Sequence, residues 1–238
     1  MNKHHGVRLK FASYNIHKAV GTDLRRDPAR IIAVLRELDA DIIALQEADL
    51  RIGQRASVLP RALIDDTGWK VVPVARRPRS IGWHGNAMLV RRSIEIVDAR
   101  AIHLPTLEPR GAIRADLRCT GQYIRVFGTH LDLSGLRRRA QVKAILADSY
   151  GASPACPTVL MGDFNQWGGR TGAMQEFAQN WQVLAPGRSF PSRQPVAYFD
   201  RIVGTRDWQC GALGVHHSAL SARASDHLPV WATLKLPT

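Results

Sequence analysis

Apolar residues gather in short, nearly unbroken runs that end on polar side chains. Leu9-Lys10-Phe11-Ala12-Ser13-Tyr14-Asn15 reads as a strand. Asp41-Ile42-Ile43-Ala44-Leu45-Gln46-Glu47 reads as another, apolar until its last two residues. So little alternation predicts a strand covered on both faces. Between the two, Asp27-Pro28 supplies an N-cap and a proline at the first helical position. Ile31, Val34, Leu35 and Leu38 then recur at helical spacing. The same strand–helix–strand order returns with Tyr123 to His130, a helix from Ser134 to Asp148, and Pro157 to Asp163. Trp69 to Val74, Asn86 to Val90, Phe199 to Val203 and Leu228 to Leu236 read as further strands, with Ile94 to Ala99 and Ala112 to Arg118 as fainter ones. Many strands with few helices predict an α/β sandwich and not a doubly wound sheet. No sequence repeat, biased tract or linker interrupts the chain, so residues 1–238 are expected to form one domain with residues 1–6 flexible.

A right-handed crossover returns the chain parallel to the strand it left, so both strands end on one edge. Asn15 and Glu47, 32 residues apart, stand in that relation, and so do His130 and Asp163. Ligands of open α/β sheets sit at the carboxyl ends of strands, which predicts both pairs on one rim. Ser225-Asp226-His227 precedes the last strand and reaches that rim if this strand runs opposite to the others.

Length and composition narrow the class. With 238 residues, 45% of them hydrophobic, the chain can bury a substantial core without cross-links. No apolar run approaches the ~18 residues of a membrane span, and the first residues form no apolar signal core; a cytoplasmic protein is expected. Cys119, Cys156 and Cys210 are an odd, scattered set that reads as buried thiols of a reducing compartment. The formal charge is +13, from 33 Lys+Arg against 20 Asp+Glu, and it favours phosphate-bearing partners such as nucleic acid, small phosphodiesters or anionic surfaces met peripherally. Only six of the 33 are Lys, however, and a uniform Arg excess is equally compatible with solvated faces.

Candidate chemistry lies in the polar strand ends. Glu47 closes an apolar strand, where a carboxylate needs a partner or a metal; alone, it is more readily the partner of an arginine. Together with Asn15 and Asp226 it would make an all-oxygen site suited to Mg²⁺ or Mn²⁺. Gly162-Asp163-Phe164-Asn165 places a carboxylate and an amide two residues apart, with Gly162 admitting close backbone approach; in isolation it is an ordinary Asx turn. His227 is an imidazole for which Asp200 is a candidate partner. A phosphoryl-transfer site needs such a set: a cation for phosphate charge, an acid–base pair, and amides to hold oxygens. Trp69, Trp181, Trp208 and Trp231 are expected in the core, whereas Trp83 and Trp167 neighbour the motifs. No HExxH or Cys/His cluster favours zinc.

In order, Ser13-Tyr14-Asn15-Ile16-His17, Leu45-Gln46-Glu47, Gly85-Asn86-Ala87-Met88-Leu89, Thr129-His130-Leu131, Gly162-Asp163-Phe164-Asn165, Asp200-Arg201-Ile202 and Ser225-Asp226-His227-Leu228-Pro229 resemble the endonuclease/exonuclease/phosphatase superfamily, the DNase I-like fold. The resemblance implies a four-layer α/β/β/α sandwich, two mixed sheets face to face with helices outside. It implies Glu47 as principal metal ligand with Asn15 and Asp226 nearby. It implies Asp163 and Asn165 as the pair that positions water and phosphate, His227 on the scissile phosphate oriented by Asp200, and His130 as a second phosphate-binding histidine. The chain resembles most a branch of small bacterial metal-dependent hydrolases, which share Asn15-Ile16-His17-Lys18, His84-Gly85-Asn86, Arg110-Gly111, Arg138 with Gln141, and Asp163-Phe164-Asn165-Gln166-Trp167. By that likeness Asn86, Arg110 and His84 are substrate contacts, while Arg138 and Gln141 read as a structural surface pair. His17 stands where abasic-site endonucleases usually carry an acidic residue, which argues against that activity. Duplex-gripping insertions and a sphingomyelinase-type hydrophobic hairpin are absent.

The expectation is therefore a Mg²⁺- or Mn²⁺-dependent phosphoesterase acting on a phosphodiester or phosphomonoester, with nucleic acid and lipid or small-molecule substrates both open and no obligate protein partner. The rival is a non-catalytic polyanion-binding protein that retains the fold, which would bind with a steep salt dependence and turn nothing over.

Overall fold

The computed structural model describes residues 7–106, 110–177 and 180–236; residues 1–6, expected to be flexible, lie outside that range. Two six-stranded sheets carry the chain. The first holds β1 (Arg8–Asn15), β2 (Ile42–Gln46), β3 (Trp69–Val71), β4 (Ala87–Arg91), β11 (Gln209–Val215) and β12 (Val230–Lys235), in the order β11-β12-β1-β2-β4-β3. The second holds β5 (Glu95–His103), β6 (Gly111–Cys119), β7 (Gln122–His130), β8 (Thr158–Asp163), β9 (Trp181–Leu184) and β10 (Asp200–Thr205), in the order β5-β6-β7-β8-β10-β9. The two orders match in kind. Each sheet has one parallel pair at its centre, β1/β2 and β7/β8, flanked by antiparallel neighbours. No sequence repeat foreshadows this topological one.

The apolar runs are explained by three cores. Along β1, β2, β7 and β8, alternate residues (Phe11, Ile42, Ala44, Val126, Val159, Met161) meet between the sheets. The intervening residues Ala12, Tyr14, Ile43 and Leu45 pack under α1 (Pro28–Leu38), whose Ile31, Val34, Leu35 and Leu38 are fully buried. On the far side, after the short α2 (Arg61–Asp65) in chain order, Phe127 and Leu160 pack under α3 (Gly135–Tyr150) through Val142, Ile145 and Leu146. A strand with helix on one face and sheet on the other has no solvated face, hence the missing alternation. The result is a four-layer α/β/β/α sandwich. In α1 the Asp27 carboxylate accepts from the Arg30 N–H at 3.0 Å beside Pro28 at the first position, as the sequence indicated. No helix among the described residues is long and apolar enough to cross a membrane.

Some expectations change. The Trp69 strand stops at Val71, and the fainter strands run on to His103 and Cys119. Edge strands β9 and β11 carry no readable pattern: one has four residues, the other holds Gly211 and Gly214, a bulge after Cys210 and mostly exposed positions. Cys119 and Cys156 are half-buried and Cys210 is exposed on that edge, so the thiols are not the buried set expected. Gln141 is fully buried and not at the surface. Its amide accepts from the Asp132 N–H at 2.9 Å and donates to the Pro105 carbonyl at 3.2 Å, so it pins two loops to α3.

Gly162 lies in β8 between Thr129 and Arg201. A Cβ there would stand 1.9 Å from the Thr129 carbonyl oxygen, inside any allowed contact. Gly162→Ala should therefore cost about 2–3 kcal/mol as an overpacked site, read as a lower urea midpoint at unchanged slope.

Candidate active site

The period of two that builds the inter-sheet core also builds the site. Following the inward positions toward the strand ends, Phe11 leads to Ser13 and Asn15, Met161 to Asp163, Val126 to Gly128 and His130, and Ile202 to Asp200. Register aligns them: His130 lies beside Asp163, and Asp163 beside Asp200. The apolar gap between the sheets thus turns polar at one rim. There the Asn15 Nδ2 donates to Asp163 Oδ2 at 3.1 Å, a contact from one sheet to the other across 148 residues of sequence. β12 runs antiparallel to β1, so Ser225, Asp226 and His227 reach the same rim. Ser225 Oγ donates to the Asn15 carbonyl at 2.7 Å and accepts from the His227 N–H at 3.2 Å.

Asp163 is 1% exposed and surrounded by donors. Its Oδ1 accepts from the Asn165 N–H at 2.9 Å, while the Asn165 amide donates to the Leu131 carbonyl at 2.9 Å. Two histidines flank Oδ2: His130 Nε2 at 3.4 Å and His227 Nε2 at 3.8 Å. His227 Nδ1 donates to Asp200 Oδ2 at 2.8 Å, and Ser189 Oγ donates to that same oxygen at 2.5 Å. The two rings differ in charge. Burial opposes protonation of His227, but the Asp200, Asp163 and Asp226 carboxylates override it and push its pKa up to about 10. Burial pulls His130 down to about 3, with Arg110 and His227 adding to that and Asp163 opposing it. At neutral pH one buried carboxylate lies between an imidazolium and a neutral imidazole.

The three residues named as metal ligands do not share one contact. Asn15 is turned onto Asp163, and its Oδ1 accepts from the His17 N–H at 3.1 Å. Asp226 lies 3.8 Å from His17 Nδ1. Glu47 is ion-paired with Lys18, not with an arginine. Burial raises the Glu47 pKa, and the Lys18 ammonium more than offsets it, so the carboxylate stays charged. The Lys18 ammonium is itself the cation that meets Glu47. With oxygen donors on Glu47, Asn15 and Asp226, the set fits Mg²⁺ or Mn²⁺ by chemistry. Asp163, Asp200 and His227 also offer atoms within 4.8 Å of one another. A protonated ring committed to Asp200 has no lone pair to give, however, so these three read as a hydrogen-bonded relay.

A cavity opens beside His130 and Glu47, lined also by Lys18, Arg51, Arg55, His84 and Arg110. The buried Arg110 and half-buried His84 belong to it; Asn86 does not line it. The Asn86 amide donates to the carbonyls of Gly111 at 3.0 Å and Trp83 at 3.3 Å, and thereby fixes the wall. Trp83 stacks edge-on with His84 at 4.2 Å, while Trp167 is 65% exposed and meets Phe199 edge-on at 4.9 Å. Phe190 and Phe199 back the His227 ring at 4.8 and 6.4 Å. Non-glycine residues with left-handed backbone cluster here: His17, Lys18, Ala19, Glu47, Arg55, His84 and Asn165. Such strain persists only where the surroundings hold it. Sequence reasoning assigned no role to Lys18 or Ser225, although both lie in quoted motifs, and it passed over Arg51, Arg55 and Ser189, which no local pattern marks.

The model of the Endonuclease/Exonuclease/phosphatase family matches residues 12–227. The uncharacterized protein YbhP of Escherichia coli is 28% identical over 250 residues, covering 96% of each chain. Among solved structures, the Bacteroides thetaiotaomicron mannosyl-6-phosphatase Bt3783 superposes with a TM-score of 0.74 at 20% identity, over 95% of this chain and 99% of that one. Danio rerio TDP2 complexed with a single-strand DNA product gives 0.73 at 16% identity, over 96% and 99%.

The two histidines carry opposite linkage. The folded pKa of His130 lies below the ordinary 6.5, so its contribution to stability is full above that value and lost as pH falls toward about 3. His227 contributes below 6.5 and loses it as pH rises through about 10. His130→Gln should therefore flatten the dependence of the urea midpoint on pH between 6.5 and 4. In isotope-edited NMR of the metal-free protein, His227 should hold both ring protons at pH 8.5, and Asp200→Asn should bring its titration down toward the neutral range.

Proposed function

Because the chain belongs to the endonuclease/exonuclease/phosphatase family, we propose that it is a divalent-metal-dependent phosphoesterase that hydrolyses a phosphodiester bond by attack of water at phosphorus. The observation that carries this reading is the buried Asp163 carboxylate, held from both sheets by Asn15 and Asn165 and set between two histidines of opposite charge. A binding module gains nothing from desolvating that carboxylate. Of the two named structural neighbours, one is a mannosyl-6-phosphatase and the other is complexed with a single-strand DNA product, and the phosphate ester common to both names supports the reading.

Each residue has a task. Asp163 orients the water and takes its proton, a base kept in place by the Asn15 and Asn165 donors. His227, charged and locked by Asp200, sets an imidazolium against the negative charge on the phosphoryl oxygens and carries the proton that a leaving oxygen needs. His130, neutral, hydrogen-bonds a phosphate oxygen from the other side. Arg110 and His84 bind the substrate from the cavity wall that Asn86 holds in position. Glu47, Asp226 and Asn15 are the residues that would hold Mg²⁺ or Mn²⁺, with Lys18 moving off Glu47. Bound there, the ion supplies neutralisation of phosphate charge and a more acidic water.

Glu47→Ala, Asp163→Ala and His227→Ala should each lower turnover of bis-p-nitrophenyl phosphate by about 10²–10⁴-fold while circular dichroism stays unchanged, and EDTA should abolish it. Near-wild-type rates from any two of the variants would refute the assignment. Running single- and double-stranded DNA, RNA and glycerophosphodiesters beside that probe then separates the substrate classes.

A further inference from the structure

The cavity wall farther from Asp163 is built of donors. Residues 50–56 form a loop closed at its base, where Asp49 bridges Ser57 and the Leu50 N–H donates to the Ala56 carbonyl at 2.9 Å. This loop brings Arg51 and Arg55 to the cavity. Arg55 Nη1 donates to His84 Nδ1 at 2.6 Å. That nitrogen is therefore the acceptor, and the other ring nitrogen carries the proton and donates. Burial and the neighbouring Arg55 keep His84 neutral, with its pKa pulled down to about 4. The buried Arg110 completes the wall.

The carboxylates of the same lining have closer partners than the arginines, while Glu47 also lies in the field of Arg51 and Asp49 in that of Arg55. Glu47 pairs with Lys18, and Asp49 accepts from Ser80 Oγ at 2.5 Å and from the Ile81 N–H at 3.3 Å. A second cleft shares Asp49, Arg55 and His84 with the first and adds Arg76 and Arg77, the former lying 5.1 Å over the Trp83 ring. Positive charge thus continues outward from His130. One scissile diester carries a single negative charge, which the histidines and the cation site already meet. Planar guanidinium forks beyond it match the oxygens of a further phosphate.

We infer that the cavity walled by Arg51, Arg55, His84 and Arg110 is a subsite for a second phosphate group, so that the preferred substrate is a phosphodiester bearing a phosphate monoester close to the scissile bond. The inference rests on the phosphoesterase reading above. It names the shared chemistry of a 5′-phosphorylated oligonucleotide and a phosphorylated lipid headgroup.

Two matched pairs test it by steady-state kinetics in Mg²⁺: thymidylyl-thymidine with and without a 5′-phosphate, and glycerophosphoinositol with and without a 4-phosphate. In one pair the phosphorylated member should have a KM about tenfold lower, and which pair does so identifies the source of the phosphate. Arg51→Ala and Arg55→Ala should each raise that KM toward the value of the unphosphorylated partner, with Arg55→Lys recovering part of the loss. A merely disturbed wall would slow both members alike, leave their ratio unchanged, and count against the subsite. Equal KM values within both pairs would overturn the subsite and leave the phosphoesterase intact. Failure to hydrolyse any of the four, or bis-p-nitrophenyl phosphate, would instead remove the activity. In that event calorimetry on Asp163→Asn protein with inorganic pyrophosphate still decides the subsite. Binding weakened about tenfold or more by the combined Arg51→Ala and Arg55→Ala changes supports it, and no binding, or binding indifferent to them, ends it.

Discussion

One desolvated carboxylate governs the arrangement. Asp163 sits 1% exposed at the rim of the gap between two sheets, where an uncompensated charge would cost several kcal/mol. Its partners come from far apart in the chain. Asn15 reaches it from the opposite sheet, His130 from the neighbouring strand β7, and His227, itself held by Asp200, from the turn before β12. Satisfying that charge fixes how the rims of the two sheets face each other. It also draws both histidines of the site into range.

The protonation pattern follows from the same geometry. His227 touches Asp200 and faces Asp163, so it keeps its proton; His130 faces Asp163 on one side and Arg110 on the other, and burial leaves it neutral. Two rings of one residue type, both buried and both near one carboxylate, thereby acquire opposite protonation states. Around them, left-handed backbone at His17, Lys18, Glu47, His84 and Asn165 turns side chains toward the cleft at a cost of about 1–2 kcal/mol per residue. The fully buried cores beneath can carry that cost.

Beyond the rim, the cleft differs from side to side. Phe190, Phe199 and the exposed Trp167 lie by His227, and guanidinium groups lie by His130. Lys18 on Glu47 shows how a strongly basic chain keeps a largely buried carboxylate charged. The net charge of +13 is accordingly not an even coat, since part of it is concentrated in the loops around the cleft.

Much of this was legible along the chain. The Asp27-Pro28 start of α1, the doubly buried runs of β1, β2, β7 and β8, and the polar residues closing those runs are local matters, because caps and side-chain period depend on near neighbours. The crossover rule even placed Asn15 with Glu47 and His130 with Asp163 on one rim. Folding in three dimensions settled the rest. Whether Glu47 meets an arginine or Lys18, whether Gln141 lies at the surface or pins Pro105 and Asp132, and which arginines line the cleft depend on contacts between residues distant in sequence. Edge strands β9 and β11 escaped notice for a related reason: a short or exposed strand is held by its partner's hydrogen bonds, and those leave no mark on its own residues.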